Sequence, residues 1–469
     1  MKNINSYLFL LIVLVGFSCK TMEIPPMPEV PKIPAEFLGA TPQDSLSIAD
    51  IPWDRFFDDP YLTALIEEGL GQNFDVLTAF ERIEQARVQY RIRKNALMPT
   101  LDGIVRYRSG DIRPNLLNGT INGDRNVVNR LENNFVGFQS HWEIDIWGKL
   151  RDRRAAAFNR FMASEMGYHL VVTNLVAEIA HLYYDLLGFD MELETIEKNI
   201  AFQRQALELI KIQKIAGRAT ELAVQQFSAQ LLNTQSLRFE KLQEINETEY
   251  AISYLLGKYP GSVERAESLL DIEFPNFLEV GLPMHLLLRR PDLQQAELEM
   301  YAARLDVEAA RKEFLPSLNL TPYVGLNDRS LPAAFQFPGA VTVGLLGGLT
   351  SPIFQQHRIR GAFEQDIAQN RIQVYNYSQS IIHGYTEVVT GFKRVENLKN
   401  KYLYKQEETK VLQSAVSTAN GLFRGGYASY LEVITAQARV LEAELEMTTT
   451  RKEIFHSVVD LYRSLGGGW

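Results

Sequence analysis

The sequence lacks the cysteine pairs and the motifs that build disulfides, metal centres or nucleotide sites. Its 469 residues include one cysteine, so no internal disulfide can form and a thiolate zinc site is excluded. The seven histidines are scattered along the chain, and no HExxH, GxSxG, Walker A or GxGxxG motif occurs. The glycine-rich stretch GLLGGLTSP lacks the lysine of a phosphate loop. These absences predict no enzyme, no cofactor and no metal site.

Basic residues are fewer than acidic ones, 48 Lys and Arg against 57 Asp and Glu. The formal net charge is −9, and no cluster of Lys or Arg stands out, so nucleic acid is not an expected partner. His181 and Asp185 are one helical turn apart, but an i, i+4 pair of this kind is more often a surface contact than a catalytic dyad. Asp58 and Asp59 are interpreted as loop and helix-start residues.

Long hydrophobic runs are scarce outside the N-terminus. Residues 7–17 form an apolar run that is too short to cross a bilayer but typical of a signal peptide. Small residues then precede Cys19. The whole segment resembles a bacterial lipoprotein signal, in which residues 1–18 are removed and Cys19 is lipidated. The alternative is an ordinary secretory signal followed by a chance cysteine. Both predict export, and any later membrane crossing must be made by strands.

Proline is absent from two long blocks. Eight of the nineteen prolines lie in residues 25–60, which predicts an extended N-terminal segment over residues 19–60. No proline occurs in residues 115–259 or after residue 352, and blocks of that length favour long helices.

The two proline-free blocks belong to two copies of one plan, residues 61–283 and 284–469. Matching residues recur 217 positions later near the first helix, 207 later at the strand–helix junction and 209 later in the long helices. Examples of the last offset are Gly217 with Gly426, Ala219 with Ala428, and Leu256 with Leu465. The change of offset places one length difference in a loop between strands, where insertions are tolerated.

The sequence pattern predicts two strands in each copy. They lie at about 100–109 and 135–146 in the first copy and at about 317–325 and 340–351 in the second. In FVGFQSHWEIDIWGKLRDRR, apolar and polar residues alternate up to residue 146 and a charged helical pattern follows. The polar side of this strand carries Gln139, His141, Glu143 and Asp145. Such alternation fits a soluble sheet or the wall of a water-filled barrel in lipid.

The remaining pattern is helical. Apolar residues alternate steps of four and three over long stretches, which is a coiled-coil seam. We predict helices at about 148–215 and 219–256, and at about 355–424 and 428–465. The chain reverses at Ala216-Gly217-Arg218 and at Gly425-Gly426-Tyr427, where glycine tolerates positive φ.

Four strands cannot close a barrel in lipid, because an open sheet edge leaves backbone groups unsatisfied and the smallest barrels have eight strands. If these strands are in a membrane, several chains must share one barrel. The four polar residues of the second strand would then face its lumen.

Several stretches carry a resemblance to a known family. They are WDRFFDDPYLTALIEEGL, HWEIDIWGKLRDRRAA, GLPMHLLLRRPDLQQAE, GGYASYLEVITAQ and LYRSLGGGW, in this order along the chain. The sequence resembles the TolC-like outer-membrane efflux factors, in particular their OprM/NodT lipoprotein branch, over essentially the whole mature length.

The resemblance implies a mainly α fold with a small β part. Three chains would form a homotrimer with a shared 12-stranded outer-membrane β-barrel and a periplasmic α-barrel. It also implies an exit duct of a tripartite efflux system, with a periplasmic adaptor protein and an inner-membrane RND-type transporter as partners. The expected cargo is small toxic compounds, with drug-type efflux as the default because no methionine cluster indicates a copper or silver path.

The resemblance further assigns roles to residues near the turns. The periplasmic tip that meets the adaptor would comprise Ala216, Gly217, Arg218, Ala219, Gly425, Gly426, Tyr427 and Ala428. A gate would be formed by Tyr430, Glu432 and Thr435, with Glu432 making a ring of three carboxylates that raise one another's pKa. The alternative for Glu432 is a solvated helix face without a gating role.

Two other functions stay open at this point. One is a duct for type I-like secretion of larger molecules. The other is an exported coiled-coil scaffold lipoprotein, which the helical seams alone would support but which needs no membrane-length strands. A periplasmic lipoprotein enzyme is disfavoured by the missing catalytic motifs.

Overall fold

The computed structural model describes residues 22–38, 48–106, 134–272, 289–328, 338, 340–351 and 356–469. Cys19 and the predicted signal peptide lie outside the described residues. The chain divides into two compact units. The first unit comprises residues 1–29, 84–162 and 298–375, and the second comprises residues 30–83, 163–297 and 376–469.

Long helices dominate the described residues. The α-helices are α1 Trp53–Phe56, α2 Pro60–Gln72, α3 Phe74–Asn95, α4 Lys149–Ile215, α5 Glu221–Leu255, α6 Pro291–Lys312, α7 Gln356–Gly425 and α8 Tyr430–Ser464. α4 has 67 residues and α7 has 70. Their length follows from the absence of proline, and the ends of α4, α5, α7 and α8 lie within about two residues of the spans expected from the sequence.

The N-terminal segment is not extended throughout. A single 3₁₀ turn, Ile48–Asp50, and the short helix α1 interrupt it. In the first unit, Met22, Ile24 and Met27 pack against a buried apolar cluster that includes Phe363. This packing orders a stretch whose composition alone predicts little structure.

α2 begins at the motif that the sequence marks as a helix start. Pro60 occupies the first turn, where its missing N–H is not needed. The Asp59 carboxylate accepts hydrogen bonds from Tyr61 N at 2.8 Å and Leu62 N at 3.3 Å, and the buried hydroxyl of Tyr183 donates to it at 2.6 Å. Burial, together with the hydrogen bond to Asp59, raises the pKa of Tyr183. Asp59 is therefore a helix cap tied to the core.

The main core of the second unit forms where α2, α4 and α8 meet. Apolar residues of the α4 seam are buried there, with Ile179 and Leu186 fully enclosed. Phe56 stacks on Tyr462 with ring centroids 3.9 Å apart. Each fully buried Leu or Ile contributes about 1.5–3 kcal/mol, so the seam is a major source of stability.

Among the described residues, one helix, α4, is long and apolar enough to cross a membrane by length and composition. Its apolar window is 61% buried within the protein. The sequence predicts no run after the leader that is long enough for a transmembrane helix, and α4 differs from that expectation because its core seam concentrates apolar residues. Burial at this level is that of a core helix.

Four strands form one antiparallel sheet in the order β1-β2-β3-β4. Their bounds are β1 Thr100–Arg106, β2 Asn134–Ile144, β3 Ser317–Asp328 and β4 Val341–Thr350. The two strands of each repeat are neighbours, and the β2–β3 pair joins the repeats. β2 ends before Asp145, whereas the sequence pattern extends the strand to residue 146.

Candidate channel wall, helix turns and gate

The register of the sheet gathers apolar residues on one face. Directly opposed residues in antiparallel strands project to the same side. Phe138 lies opposite Gly103 and Val324, and Val324 lies opposite Val343. The same face carries Leu101, Val105, Val136, Trp142, Leu318, Leu320, Leu326, Val341, Leu345 and Leu349. Most of these side chains are exposed, so the face is suited to contact with lipid.

The other face of the sheet is mostly polar. Gln139 lies opposite Asp102 and Tyr323, and Glu143 lies opposite Asn319. His141 pairs with Thr100 and is on the same face. The apolar exceptions there are Ile104, Phe135 and Leu346. Three of the four predicted lumen residues therefore share one polar surface that runs across all four strands.

Asp145, the fourth predicted lumen residue, lies beyond the end of β2. Its carboxylate accepts hydrogen bonds from Leu150 N at 3.0 Å and Arg151 N at 2.9 Å, and from Arg151 Nε at 3.2 Å. These contacts satisfy free donors at the start of α4 and place negative charge at the positive end of the helix. The structure thus gives Asp145 a capping role that the alternation pattern did not reveal.

Further contacts fix the junction between β2 and α4. Glu143 pairs with Lys149 at 2.5 Å, and Trp147 Nε1 donates to Pro316 O at 2.8 Å. Gly148 adopts a φ of 78°, which glycine tolerates without strain. These contacts connect the end of β2 to the start of α4.

The two predicted turns have the same backbone geometry. Gly217 has a φ of 68° and Gly426 a φ of 80°. Arg218 N donates to Gln213 O at 2.8 Å, and Tyr427 N donates to Leu422 O at 2.9 Å. This is the Schellman arrangement that ends a helix at a left-handed glycine. Both turns belong to the second unit, where Ala219 and Tyr430 pack against a shared apolar cluster.

Large apolar side chains are exposed around these turns, and of these only Tyr427 was among the predicted tip residues. Ile215 is 87% exposed and Tyr427 is 86% exposed, and Leu222 and Leu431 are more than half exposed. Leu222 and Leu431 are related by the repeat offset of 209, a signal that was available in the sequence. Exposed apolar groups clustered in this way are typical of interaction sites.

The predicted gate residues lie at the start of α8. The Ser429 side chain caps the helix by accepting from Leu431 N at 3.3 Å and also bonds the Glu432 carboxylate. The S-x-x-E spacing of Ser429 and Glu432 is that of a capping box. The hydrogen bond from Ser429 lowers the pKa of Glu432 within the single chain. Glu432 and Thr435 are both exposed, and Tyr430 is half-buried.

His181 and Asp185 share a helix face but have different partners. His181 Nε2 lies 3.4 Å from Asp460 Oδ1, whereas Asp185 lies 3.1 Å from Lys452 Nζ and 3.4 Å from His456 Nε2. Burial lowers the pKa of His456, which keeps the ring neutral to lower pH. These contacts join α4 to α8 as packing interactions. In the part of the chain that the structure describes, no group of three or more His, Cys, Asp or Glu could hold a metal ion.

Arg290 forms an ionic network that sequence reasoning missed. Its buried guanidinium bonds Asp292 at 2.6 Å and Glu387 at 2.7 Å, and donates to Ser464 O at 2.9 Å. Burial works to lower the pKa of Arg290, but the two carboxylates outweigh this effect and raise it. The network joins the start of α6 to α7 and to the end of α8.

The model of the outer membrane efflux protein family matches residues 65–258 and 282–467. The chain therefore belongs to the outer membrane efflux protein family. It is 28% identical over 434 residues to the solvent efflux pump outer membrane protein SrpC of Pseudomonas putida, covering 92% of this chain and 90% of that protein. It is 27% identical over 424 residues to the cation efflux system protein CusC of Escherichia coli O6:H1, covering 89% and 88%.

A solved structure shows the same fold. The open state of the Neisseria gonorrhoeae MtrE outer membrane channel matches with a TM-score of 0.82 at 22% identity, covering 95% of this chain and 98% of that chain. The predicted fold class is confirmed: a mainly helical chain with four strands, built as in the trimeric channels of the family.

The predicted function is confirmed as well: the chain is an outer-membrane efflux channel and the outer membrane is its location. The relatives are named as efflux proteins rather than as enzymes.

Proposed function

We propose that three copies of this chain form one passive outer-membrane duct in a tripartite efflux system. The observation that carries the proposal is the four-stranded sheet, which has an apolar face, a polar face and two edge strands, β1 and β4. In lipid each unpaired backbone group costs several kilocalories per mole. Neighbouring copies that pair β1 with β4 would remove both edges, and three copies would give the twelve strands expected from the family resemblance.

The polar face then becomes the channel wall. Gln139, His141 and Glu143 would face water inside the barrel, and the apolar face with Phe138 and Trp142 would face lipid. A coiled-coil scaffold in water would not be expected to expose so large an apolar sheet face. Conduction through such a wall needs no catalytic group, so we infer that the chain is not an enzyme.

The turns supply the proposed adaptor contact. We infer that residues 216–219 and 425–428, with the exposed apolar groups around them, meet the periplasmic adaptor, which in turn joins an RND-type inner-membrane transporter. Support comes from the open backbone at both glycines, where an added Cβ would meet no heavy atom within 4 Å for Gly217 or Gly426. Small residues with free space allow close approach of another chain.

The trimeric duct is tested with the full-length protein purified from membranes. We expect trimers that survive heating in detergent and steady conductance in a planar bilayer. A cysteine placed on β1 and another on β4 should form a disulfide only between different copies. Monomers without conductance would reject the shared barrel, and a soluble trimer without conductance would favour the scaffold.

The lipid anchor is a separate proposal. Cys19 follows a signal-like run in the sequence, and we infer that it carries acyl chains in the mature protein. Labelled palmitate should appear on the wild type and be absent from Cys19→Ala, while conductance of the inserted channel is retained. Absence of label from the wild type would reject the anchor.

The proposed cargo is small toxic organic compounds. The relatives cover both chemistries, since SrpC is named for solvent efflux and CusC for cation efflux, at nearly equal identity. No methionine cluster favours a soft-metal path in this chain, so we propose drug-type export over cation export and over secretion of larger molecules. Deletion of the gene should raise sensitivity to dyes, detergents and drugs more than to copper or silver. The opposite ranking would reject this cargo class.

A further inference from the structure

A cavity of about 410 Å³ lies in the second unit, and none of its lining residues belongs to the two turns. Its wall is made by α4 of the first repeat and by α7 and α8 of the second. Its polar lining includes Asn199 and Gln203 on α4, Gln413 on α7, and Gln437 and Glu444 on α8. None of these residues belongs to the proposed channel wall, the proposed adaptor contact or the predicted gate.

Two glutamines in this wall are buried without partners. Gln203 is 2% exposed and Gln437 is 6% exposed. Neither Nε2 nor Oε1 of Gln203 forms a hydrogen bond, and Oε1 of Gln437 forms none. An unsatisfied buried amide group costs about 1–3 kcal/mol, and such groups are rare in folded proteins. The cavity therefore presents hydrogen-bonding atoms that a bound group could satisfy.

A carboxylate is held in the same wall. Glu444 Oε2 accepts from Asn199 Nδ2 at 3.3 Å, and Glu444 Oε1 accepts from Gln413 Nε2 at 2.9 Å. These bonds fix the carboxylate between α4 and α7 while leaving further lone pairs free. Lys198, the other charged lining residue, is exposed and pairs with Glu194 at 2.7 Å. The available acceptors thus outnumber the available donors.

We propose that this cavity binds a small organic ammonium ion. Its N–H groups would donate to Gln203 Oε1, Gln437 Oε1 and the Glu444 carboxylate, and its hydrocarbon part would lie against Val416 and Val440, which also line the cavity. Hydrogen bonds between a cation and a carboxylate are the strong ones. An ion bound there would join α4 to α7 and α8, and so would connect the two repeats.

The probe is n-butylammonium, added to the full-length protein in amphipol and followed by saturation-transfer NMR. Two comparison molecules separate the contribution of the charge from that of the N–H donors. 1-Butanol has no charge, and butyltrimethylammonium has a charge but no N–H donor. We expect n-butylammonium to bind at least about tenfold more tightly than either, the loss expected for a hydrogen bond to a charged group. Equal signals from all three probes would overturn the proposal.

Variants then locate the binding. Gln203→Met keeps the volume and removes the unpartnered amide, so butylammonium affinity should fall by about tenfold while the melting temperature holds or rises. Glu444→Gln should lower the affinity for both cations. Gln226→Met is the matched control, because Gln226 Oε1 is also buried without a partner but does not line this cavity.

Three results would reject the site. The first is unchanged affinity in Gln203→Met, and the second is an equal loss in Gln226→Met. The third is no binding to the wild type, which would mean that water or a neighbouring copy fills the cavity.

Discussion

Four helices of the second unit end at a glycine with positive φ, and the two pairs of ends differ in their surroundings. The hairpin-turn pair is Gly217 and Gly426, and the helix-end pair is Gly257 and Gly466, with φ of 69° and 93°. All four show the same hydrogen-bond pattern, as in Lys258 N to Ser253 O at 2.9 Å. The backbone therefore ends all four helices with the same left-handed glycine turn.

The two pairs differ in the free space around the glycine. A Cβ added at either hairpin-turn glycine would meet no heavy atom within 4 Å. At Gly257 it would lie 2.8 Å from Gln72 O, and at Gly466 it would lie 2.8 Å from Arg289 C. The helix-end pair is part of the packed interior, and the hairpin-turn pair is open to another molecule. The same local geometry is thus enclosed by core packing at one end of the hairpins and open to solvent at the other, where we propose the adaptor contact.

The two hairpin turns also differ from each other just beyond the glycine. Thr220 and Ser429 occupy equivalent cap positions, since both accept a backbone N–H of the following helix. Three residues further on, the first repeat has Ala223, which is fully buried, and the second has Glu432, which is exposed. At this position the acid is specific to the second repeat, as a gate built from α8 requires, although Glu221 is an exposed acid elsewhere at the first-repeat turn.

The largest expected effect concerns the helix-end pair. Gly466→Ala combines left-handed strain with a backbone collision and should destabilise the protein by about 2–5 kcal/mol. Gly426→Ala has the strain alone and should cost about 1–2 kcal/mol. Thermal unfolding of both purified variants checks the difference. Equal losses would mean that the collision at Gly466 relaxes without cost.

The next largest effect is expected at the alanines that follow the hairpin-turn pair, in the proposed adaptor contact. Ala428→Leu and Ala219→Leu should abolish efflux in cells because they block close approach of the adaptor, while trimers and conductance persist. Ala201→Leu, at an exposed alanine on α4, is the control and should leave efflux normal. Efflux at the wild-type level in both turn variants would remove the adaptor contact from these residues.

A smaller effect is expected at the gate. Glu432→Ala should raise closed-state conductance and weaken divalent-cation block by about twofold to tenfold, and Thr435→Asp should deepen the block. Gln226→Asp is the matched control, since Gln226 is the first-repeat equivalent of Thr435 and lies outside the predicted gate. Single-channel recording checks all three. If the block responds to Gln226→Asp as strongly as to Thr435→Asp, the gate is not specific to the second repeat.

The smallest expected effect distinguishes the helix-capping role of Ser429 from its influence on the predicted gate. Ser429→Ala and Thr220→Ala should each cost about 1 kcal/mol as lost helix caps. Only Ser429→Ala should also change the pH dependence of cation block, because the Ser429 hydrogen bond lowers the pKa of Glu432. That bond stabilises the fold above the ordinary glutamate pKa, and its contribution is lost as the pH falls through the lowered value.

The pH at half block should therefore rise in Ser429→Ala and stay constant in Thr220→Ala. An already high midpoint in the wild type would instead indicate that the three carboxylates of a trimer raise one another's pKa more than Ser429 lowers it. Titration of the block from pH 3 to pH 7 distinguishes these cases.

Much of the fold could be predicted because its signals are local. Missing proline, a coiled-coil seam and a glycine at each reversal define α4, α5, α7 and α8. Alternation over four short stretches locates the strands, and the repeat offset relates the two halves. The capping box of Ser429 and Glu432 was also readable from its spacing, although the family resemblance drew attention to the gate instead.

Other features depend on partners distant in sequence. The alternation places Asp145 on the polar side of a strand, but its bonds to the start of α4 are visible only in three dimensions. Gln203 and Gln437 look like ordinary solvated glutamines until α4, α7 and α8 enclose them. Arg290 gains its network from Glu387 and Ser464, which no short-range pattern connects to it.

The pairing of β2 with β3 has a consequence for the order of folding. β1 with β2 and β3 with β4 are near neighbours in sequence, but β2 pairs with residues roughly 170 to 190 positions away, so its closure carries a high loop entropy. We expect the helical hairpin between the two strands to form first and bring them together. Assembly would then run from the helices toward the sheet, and the membrane wall would be completed last.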